Sequence, residues 1–579
     1  MHRPRFNPRR SRLSASVTTV KSGGGLQQMY PSGGCRQWSH AAAYPARSLA
    51  PQPQRIRLKK SVTVAANLLL CGLASSLLLS ACGGSGDSAS SGSTASTPST
   101  ARGTLTQTPQ LQSTMDAATL QTQLTLPANL QTLTLAGAPI CGIAVYHIEY
   151  NTVGGAGEPT TASGALMVPS GSDARCSGPR PMVLYAHGTT TDRTFNIADL
   201  SNSENAEGLL LAAFFAARGD IVVAPNYAGY DTSTLSYHPF LVADQQSKDM
   251  IDALAAARST LPTAAAPQVT DNGQLFITGY SQGGFVAMAT HRAMQAAGMT
   301  VTASAPMSGP YALAAFVDAV FYGEVSSNAP VVSTLLFTGY QHSYGDIYTD
   351  PSVVFAPPYA ATIDSLLPSA TPRSQLYADG ELPQNAMFSA TPPAPAYADI
   401  TPATTPADLA PVFALGFGPG NLIQNSFRLS YLQDAQANPD GGFPTLGSDV
   451  AAASAGLALR QALALNDLRS WTPQAPTLLC GGDQDPTVFW LNTQLMQDYL
   501  AMHAPGSSSY SVLDLEAGAA GDSYASIRSG FETAKQLLAA TAVLQGATDG
   551  GASAVADAYH STLVPPFCLA AVISFFAGR

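Results

Sequence analysis

Charged residues are scarce in this chain of 579 residues: Asp, Glu, Lys and Arg together make up 11%, too few for a disordered protein or for one built to hold a phosphate backbone. Acids are missing altogether from residues 1–82, which hold 12 of the 27 basic residues. The rest of the chain therefore sets 15 Lys and Arg against 37 Asp and Glu, a formal −22 that disfavours nucleic acid as a partner. After residue 82 no apolar run is long enough to span a bilayer. A Walker loop, a dinucleotide glycine fingerprint and a His/Cys cluster at zinc spacing are all lacking, so neither metal nor other cofactor is called for. Nothing points to an obligate protein partner. With 45% hydrophobic residues, 50 Gly and 42 Pro, the chain suits a loop-rich globular body with a large core.

The leader has its own order. The basic stretch Arg55–Lys60 precedes an apolar run from Val62 to Leu79, which ends in Leu79-Ser80-Ala81-Cys82-Gly83. Basic, apolar and small-residue regions in that sequence describe an export signal. The four residues ending at Cys82 look like the lipobox of bacterial lipoproteins, in which the cysteine is diacylated and becomes the mature N-terminus. Residues 1–82 are thus expected to be a leader, with Cys82 anchoring the exported protein at the cell envelope. Gly83, not Asp, follows that cysteine, which favours the outer membrane. Residues 83–104, rich in Gly, Ser and Thr, read as a flexible tether.

The body alternates short apolar runs with helix-length stretches. Ile143–Tyr150 and Thr160–Val168 read as an antiparallel pair. Pro181–Ala186, Asp220–Ala224 and Gln274–Thr278 read as strands, with helices at Gly208–Arg218 and Asp244–Arg258. That rhythm predicts an α/β fold, a doubly wound, mostly parallel sheet. It breaks after Met307. Residues 310–470, rich in Pro, Ala, Tyr and Thr, read as an inserted, mainly helical cap between core segments 105–309 and 471–579, and strands return at Pro476–Cys480 and Ser509–Leu513.

Gly279-Tyr280-Ser281-Gln282-Gly283 follows one of these strands directly and precedes a helix. That context fits a nucleophile elbow, whose glycines relieve crowding around a sharp turn and lift the serine hydroxyl out of the sheet. A serine hydroxyl needs a base, and the base an orienting acid, following the elbow in the order acid then His. Four histidines lie downstream. His291 is on the elbow helix, His342 in the cap and His503 in the helix after the proposed acid, which leaves His560 in a loop ahead of a final apolar helix. For the acid, Asp485 is followed by Pro-Thr-Val at the start of the next helix; Asp483 and Asp514 are alternatives. Backbone donors for an oxyanion are expected from Gln282 and from Thr189 in Tyr185-Ala-His-Gly-Thr189, where His187 reads as structural.

Setting aside Cys35, Cys71 and Cys82 leaves Cys141, Cys176, Cys480 and Cys568, an even number that favours disulfides in an exported protein. Of three possible connectivities, Cys141–Cys176 with Cys480–Cys568 is preferred, because the second would tie the acid loop to the base loop.

Tyr185-Ala-His-Gly-Thr189, Ala224-Pro-Asn-Tyr-Ala-Gly-Tyr230, Tyr237-His-Pro-Phe240 and Gly279-Tyr-Ser-Gln-Gly-Gly284, followed by a long insertion and a late Asp and His, together resemble the secretory lipase family of α/β-hydrolases, the group related to Candida antarctica lipase A. The resemblance implies Ser281 as nucleophile, Asp485 as acid, His560 as base and a helical cap over an acyl pocket. About forty residues between Leu515 and His560 depart from the family pattern. The expectation is a serine carboxylic ester hydrolase acting on hydrophobic esters: acylglycerols, short-chain esters or aliphatic polyesters. An amidase, peptidase or acyltransferase with the same triad, and a non-catalytic surface lipoprotein that binds lipid or polymer, are the rival readings.

Overall fold

The computed structural model describes residues 101–202, 206–261, 268–439, 455–507, 509–518 and 521–579. The leader, Cys82 and most of the expected tether lie outside them. Residues 101–104, placed in the tether by composition, are docked on the body. The Gly103 amide donates to the Asn151 carbonyl at 2.8 Å, and Arg102 Nε reaches Asp252 Oδ2 at 2.9 Å. Their partners lie far along the chain, so local composition could not show this.

Nine strands form one sheet: β1 (Gln110–Met115), β2 (Gly142–Val153), β3 (Pro159–Ser170), β4 (Gly178–Ala186), β5 (Ile221–Pro225), β6 (Val269–Tyr280), β7 (Ala303–Met307), β8 (Thr477–Gly481) and β9 (Tyr510–Asp514). Their order is β1-β2-β3-β5-β4-β6-β7-β8-β9. The first three pairings across the sheet are antiparallel and the other five parallel. The parallel strands β5, β7 and β8 have only five residues each. Every residue of Ile221–Pro225 and of Thr477–Gly481 is buried, as helices on both faces require.

Sixteen α-helices occur among the described residues: α1 (Ala117–Leu124), α2 (Leu130–Ala136), α3 (Ala206–Phe214), α4 (Ala243–Thr260), α5 (Gln282–Ala296), α6 (Leu313–Phe321), α7 (Ala329–Tyr344), α8 (Pro357–Ala360), α9 (Arg373–Ala378), α10 (Ala410–Leu415), α11 (Asn425–Ala437), α12 (Ala458–Asn466), α13 (Leu491–His503), α14 (Ala525–Leu544), α15 (Ala552–Ala558) and α16 (Val564–Ala577). Alternate residues along the strands feed two cores. Leu184, Ile277 and Leu479 join one with α4, α5 and the helices between β7 and β8. Val183, Phe276 and Leu478 join the other with α2, α3 and α16. Helices α6 to α12 all lie between β7 and β8. The helical run Ala552–Ala577 is long and apolar enough to cross a membrane, yet 67% of its most apolar window is buried inside the protein, as befits a core helix.

Both expected disulfides form. Cys141–Cys176 joins the start of β2 to the turn before β4, and Cys480–Cys568 joins β8 to α16, with Cα atoms 5.5 and 5.7 Å apart.

Helix α4 carries a buried carboxylate behind the site. Asp249 accepts from the Tyr150 hydroxyl at 2.8 Å and the Ala228 amide at 2.7 Å, while burial pushes its pKa from 3.8 up to about 7. A carboxyl whose folded pKa is raised favours folding most below pH 3.8, and that contribution is lost as pH rises through about 7. The difference corresponds to at most about 4 kcal/mol. Urea unfolding of Asp249→Asn beside the parent should therefore show the gap moving in favour of Asn between pH 5 and pH 8.5. A gap independent of pH would refute the buried, proton-binding Asp249.

Candidate active site

The parallel strands β4, β6 and β8 all end at the same edge of the sheet, and the segments that follow them carry the chemistry. Immediately after β6, Ser281 adopts φ 59°, ψ −121°, a conformation that costs a non-glycine residue on the order of 1–3 kcal/mol. The glycines around it are needed sterically. A Cβ on Gly283 would stand 1.9 Å from the Ala186 carbonyl oxygen, and one on Gly279 would stand 2.3 Å from that of Gly283. The turn leaves Ser281 half-buried, with Gln282 opening α5.

Three predicted residues meet here. His560 Nε2 lies 2.8 Å from Ser281 Oγ, and His560 Nδ1 lies 2.6 Å from Asp485 Oδ2. Asp485 is buried and its other oxygen accepts from the Thr487 and Val488 amides at 2.9 and 3.0 Å. These donors hold the carboxylate while its second oxygen receives the imidazole N–H. Neither of the other two carboxylates contacts His560 among the described residues. Asp483 is exposed, and Asp514 accepts from the Asp483 and Glu516 amides. Two local expectations are corrected. The residues after Asp485 form a capped turn, and α13 starts only at Leu491. His560 sits not in a loop but in a π-helical turn, Tyr559–Leu563, between α15 and α16; one extra residue per turn aims its ring at Ser281 while the apolar α16 continues into the core.

The other histidines are elsewhere. His291 is buried with Nδ1 2.8 Å from Ser304 Oγ, and burial lowers its pKa to about 4. His342 stacks on Tyr237, and His503 ends α13.

The two residues expected to supply backbone donors flank Ser281 in chain and in loop. As the first residue of α5, Gln282 has an amide that the helix cannot satisfy. Its side chain is fixed by His238, whose Nε2 accepts from Gln282 Nε2 at 2.7 Å and whose Nδ1 faces the Ala228 carbonyl at 2.9 Å. Burial lowers the His238 pKa to about 3, so the ring is neutral and that tautomer satisfies both contacts. Thr189 follows β4 on the adjoining loop and is exposed, and its amide has no partner among the described residues. Gly188 is close to the nucleophile: a Cβ there would stand 3.8 Å from Ser281 Cβ. His187 is structural, as expected. It stacks on Tyr227 with centroids 4.1 Å apart, and burial holds its pKa near 4.

Residues between Leu515 and His560 hold the turn that carries His560. Tyr559 donates to Glu516 Oε1 at 2.9 Å, and Lys535 on α14 donates to the same oxygen at 2.6 Å. Gly482 of the acid loop packs so tightly on Tyr559 that a Cβ there would lie 2.2 Å from its hydroxyl. From the elbow side, the Tyr280 hydroxyl donates to the His560 carbonyl at 2.5 Å. Sequence reasoning missed these supports. Only Tyr280 carried a signal, its place inside the elbow motif.

The arrangement can deliver an alkoxide-like nucleophile with a proton acceptor behind it and backbone donors beside it. No protein-family model matches the chain, and no curated protein matches it. Among solved structures, a variant of the rice cell wall degrading esterase LipA from Xanthomonas oryzae is 27% identical, with TM-score 0.58, over 83% of this chain and 99% of that one. A Legionella pneumophila protein described only provisionally as a hydrolase is 19% identical, with TM-score 0.52, over 70% and 91%; this is a likeness of fold. Candida antarctica lipase A, at 12% identity and TM-score 0.36 over 71% and 76%, is too distant to argue from. The chain has the α/β-hydrolase fold, with helical insertions, and the likeness to the LipA esterase supports a hydrolase.

Proposed function

We propose that the protein is an exported serine carboxylic ester hydrolase. The observation that carries this reading is the hydrogen-bonded series Ser281–His560–Asp485, at 2.8 and 2.6 Å, set on a strained turn beside the Gln282 and Thr189 amides. Ser281 Oγ attacks the ester carbonyl as His560 Nε2 takes its proton, and Asp485 holds the imidazolium that results. The two amides receive the oxyanion. His560 then protonates the departing alcohol, and water repeats the sequence on the acyl-enzyme. The LipA neighbour, an esterase at 27% identity over 83% of this chain, favours ester over amide substrates.

The segment between β7 and β8 rests on the acid loop. The Ser327 amide donates to the Pro486 carbonyl at 3.0 Å, and Phe316 and Phe413 pack edge-on against Phe489. Aromatic side chains beside the acid support a cap over an apolar acyl site, and hence hydrophobic esters: acylglycerols, short-chain esters or aliphatic polyesters. The test is hydrolysis of p-nitrophenyl esters from acetate to palmitate, with Ser281→Ala as control. A folded parent inactive on the whole series would sink the reading.

Two disulfides are consistent with an oxidising compartment, and the lipobox-like run ending at Cys82 supports an acyl anchor at the cell envelope. Expressed in a Gram-negative host, Cys82→Ser should shift the protein from the membrane to the soluble fraction; an unchanged membrane share would refute the anchor.

A further inference from the structure

Gly188 lies between two peptide planes, one held by Glu207 from outside the loop and the other by its neighbour His187. The Gly188 amide, which belongs to the His187–Gly188 peptide, donates to both oxygens of Glu207 on α3, at 2.9 Å to Oε1 and 3.2 Å to Oε2. The Gly188 carbonyl, which belongs to the Gly188–Thr189 peptide, lies 2.6 Å from His187 Nδ1. A trans peptide is planar with its C=O and N–H pointing opposite ways. With its single proton on Nδ1, the nearer of the two ring nitrogens to a carbonyl, the neutral His187 donates to the Gly188 carbonyl and turns the Thr189 N–H of that peptide away from the ring. The Gly188 amide is already engaged by Glu207 and cannot serve an oxyanion, which leaves the Thr189 amide, without a partner among the described residues, as the next donor along the loop.

Glycine resists rotation of its flanking peptides less than any other residue. A clamp on the carbonyl side alone leaves the preceding peptide free to turn. Glu207 closes that freedom, and is itself anchored: the Tyr185 hydroxyl, on the strand that leads into the loop, donates to Oε2 at 2.7 Å. All its contacts come from donors, the pattern an ionised carboxylate accepts in full. Burial works against that ionisation and raises the Glu207 pKa, while the two hydrogen bonds and the nearby His560 lower it. The carboxylate touches neither Ser281 nor Asp485 among the described contacts.

We propose that Glu207 is a positioning residue for the oxyanion site: by holding the Gly188 amide it fixes the His187–Gly188 peptide, so that the adjoining Gly188–Thr189 peptide, its carbonyl on His187, keeps the Thr189 N–H facing the carbonyl oxygen attacked by Ser281. This rests on the ester hydrolase reading. It assigns work to a carboxylate outside the Ser281–His560–Asp485 series and specifies which loop amide is available.

Full-length parent, Glu207→Gln, Glu207→Ala and Tyr185→Phe are compared for kcat and KM on p-nitrophenyl butyrate and for inhibition by butaneboronic acid, whose Ser281 adduct places an oxygen where the oxyanion forms. Losing one oxyanion donor costs about 10²–10³ in rate. A displaced donor should make Glu207→Ala about 100-fold slower in kcat, with KM within threefold and the boronic acid Ki raised alongside. Glu207→Gln keeps an acceptor for the Gly188 amide and should stay within about fivefold of the parent. Should the alanine variant not fold, Tyr185→Phe gives the reading: it frees one end of the carboxylate and should lower kcat several-fold at unchanged KM. The proposal is overturned by a kcat loss under threefold in Glu207→Ala, or under twofold in Tyr185→Phe where that variant stands in. It is equally overturned by a Gln variant as slow as the Ala variant, which would make the charge on His560 the cause. A parent inactive on the ester, or as active as Ser281→Ala, would instead defeat the hydrolase reading and the proposal with it.

Discussion

Ser281→Ala is expected to lower kcat on p-nitrophenyl butyrate by about 10⁴–10⁶-fold while moving Tm little. The two halves of that result have separate causes. Ser281 Oγ is half-buried and its hydrogen bond is to His560 Nε2, so removing it leaves no orphaned partner that water cannot reach. The strained φ of 59° burdens alanine as it burdens serine, and the glycines that permit the turn remain. Rate is another matter, because among the described residues no hydroxyl other than Ser281 Oγ contacts His560 Nε2. The residue of activity should come from the Gln282 and Thr189 amides and from substrate binding, which in a serine hydrolase stripped of its triad amount to roughly 10³–10⁴ over water. KM should change far less than kcat. Equal activity in parent and variant would remove Ser281 from the chemistry. A large fall in Tm would mean that the turn, not the hydroxyl, had been damaged.

The parts of this site that sequence made legible are those whose geometry is local. Gly279 and Gly283 announce the elbow because the crowding they relieve comes from residues four positions away and from the neighbouring strand. The strands at Pro181–Ala186 and Gln274–Thr278 could be read because both faces are buried, which leaves unbroken apolar runs. Asp485 and His560 were reachable through chain order. What stayed hidden depends on contacts between distant residues. Glu207 meets Gly188 from 19 positions away and Tyr559 meets Glu516 from 43; neither acid has a local pattern that separates it from a surface carboxylate. Strand β1 was missed because most of its residues are exposed, so it lacks an apolar signature. The π-helical turn at His560 was missed because a single extra residue in a helix leaves periodicity almost unchanged. The docking of residues 101–104 fails the same way, since a Gly/Ser/Thr-rich stretch reads as tether whether or not a distant Asp252 receives its Arg102.

Cys480→Ala/Cys568→Ala, compared with Cys141→Ala/Cys176→Ala, should separate stability from catalysis. The two bridges close loops of 88 and 35 residues. By loop-closure entropy their removal costs at most about 4.6 and 3.8 kcal/mol, and commonly 2–4. Both double variants should therefore melt several degrees lower, by similar amounts, and thermal unfolding checks this. Their activities at 25 °C should differ. Cys141–Cys176 joins β2 to the turn before β4, on the antiparallel side of the sheet and away from the loops that carry the triad. Cys480 is five residues before Asp485 and Cys568 eight after His560, so the second bridge fixes the strand that delivers the acid to the helix that delivers the base. The 2.6 Å contact between Asp485 and His560 otherwise relies on Tyr559, Glu516 and α14. Releasing the bridge should loosen it, and a displacement approaching 1 Å is worth up to about 10²-fold in rate. The expected result is a five- to fifty-fold lower kcat for Cys480→Ala/Cys568→Ala, with KM little changed, against less than twofold for Cys141→Ala/Cys176→Ala. Equal kcat losses in two variants that are fully folded at the assay temperature would show that the bridge near the triad serves stability alone, and would leave the registration of acid and base to the Glu516–Tyr559–Lys535 brace.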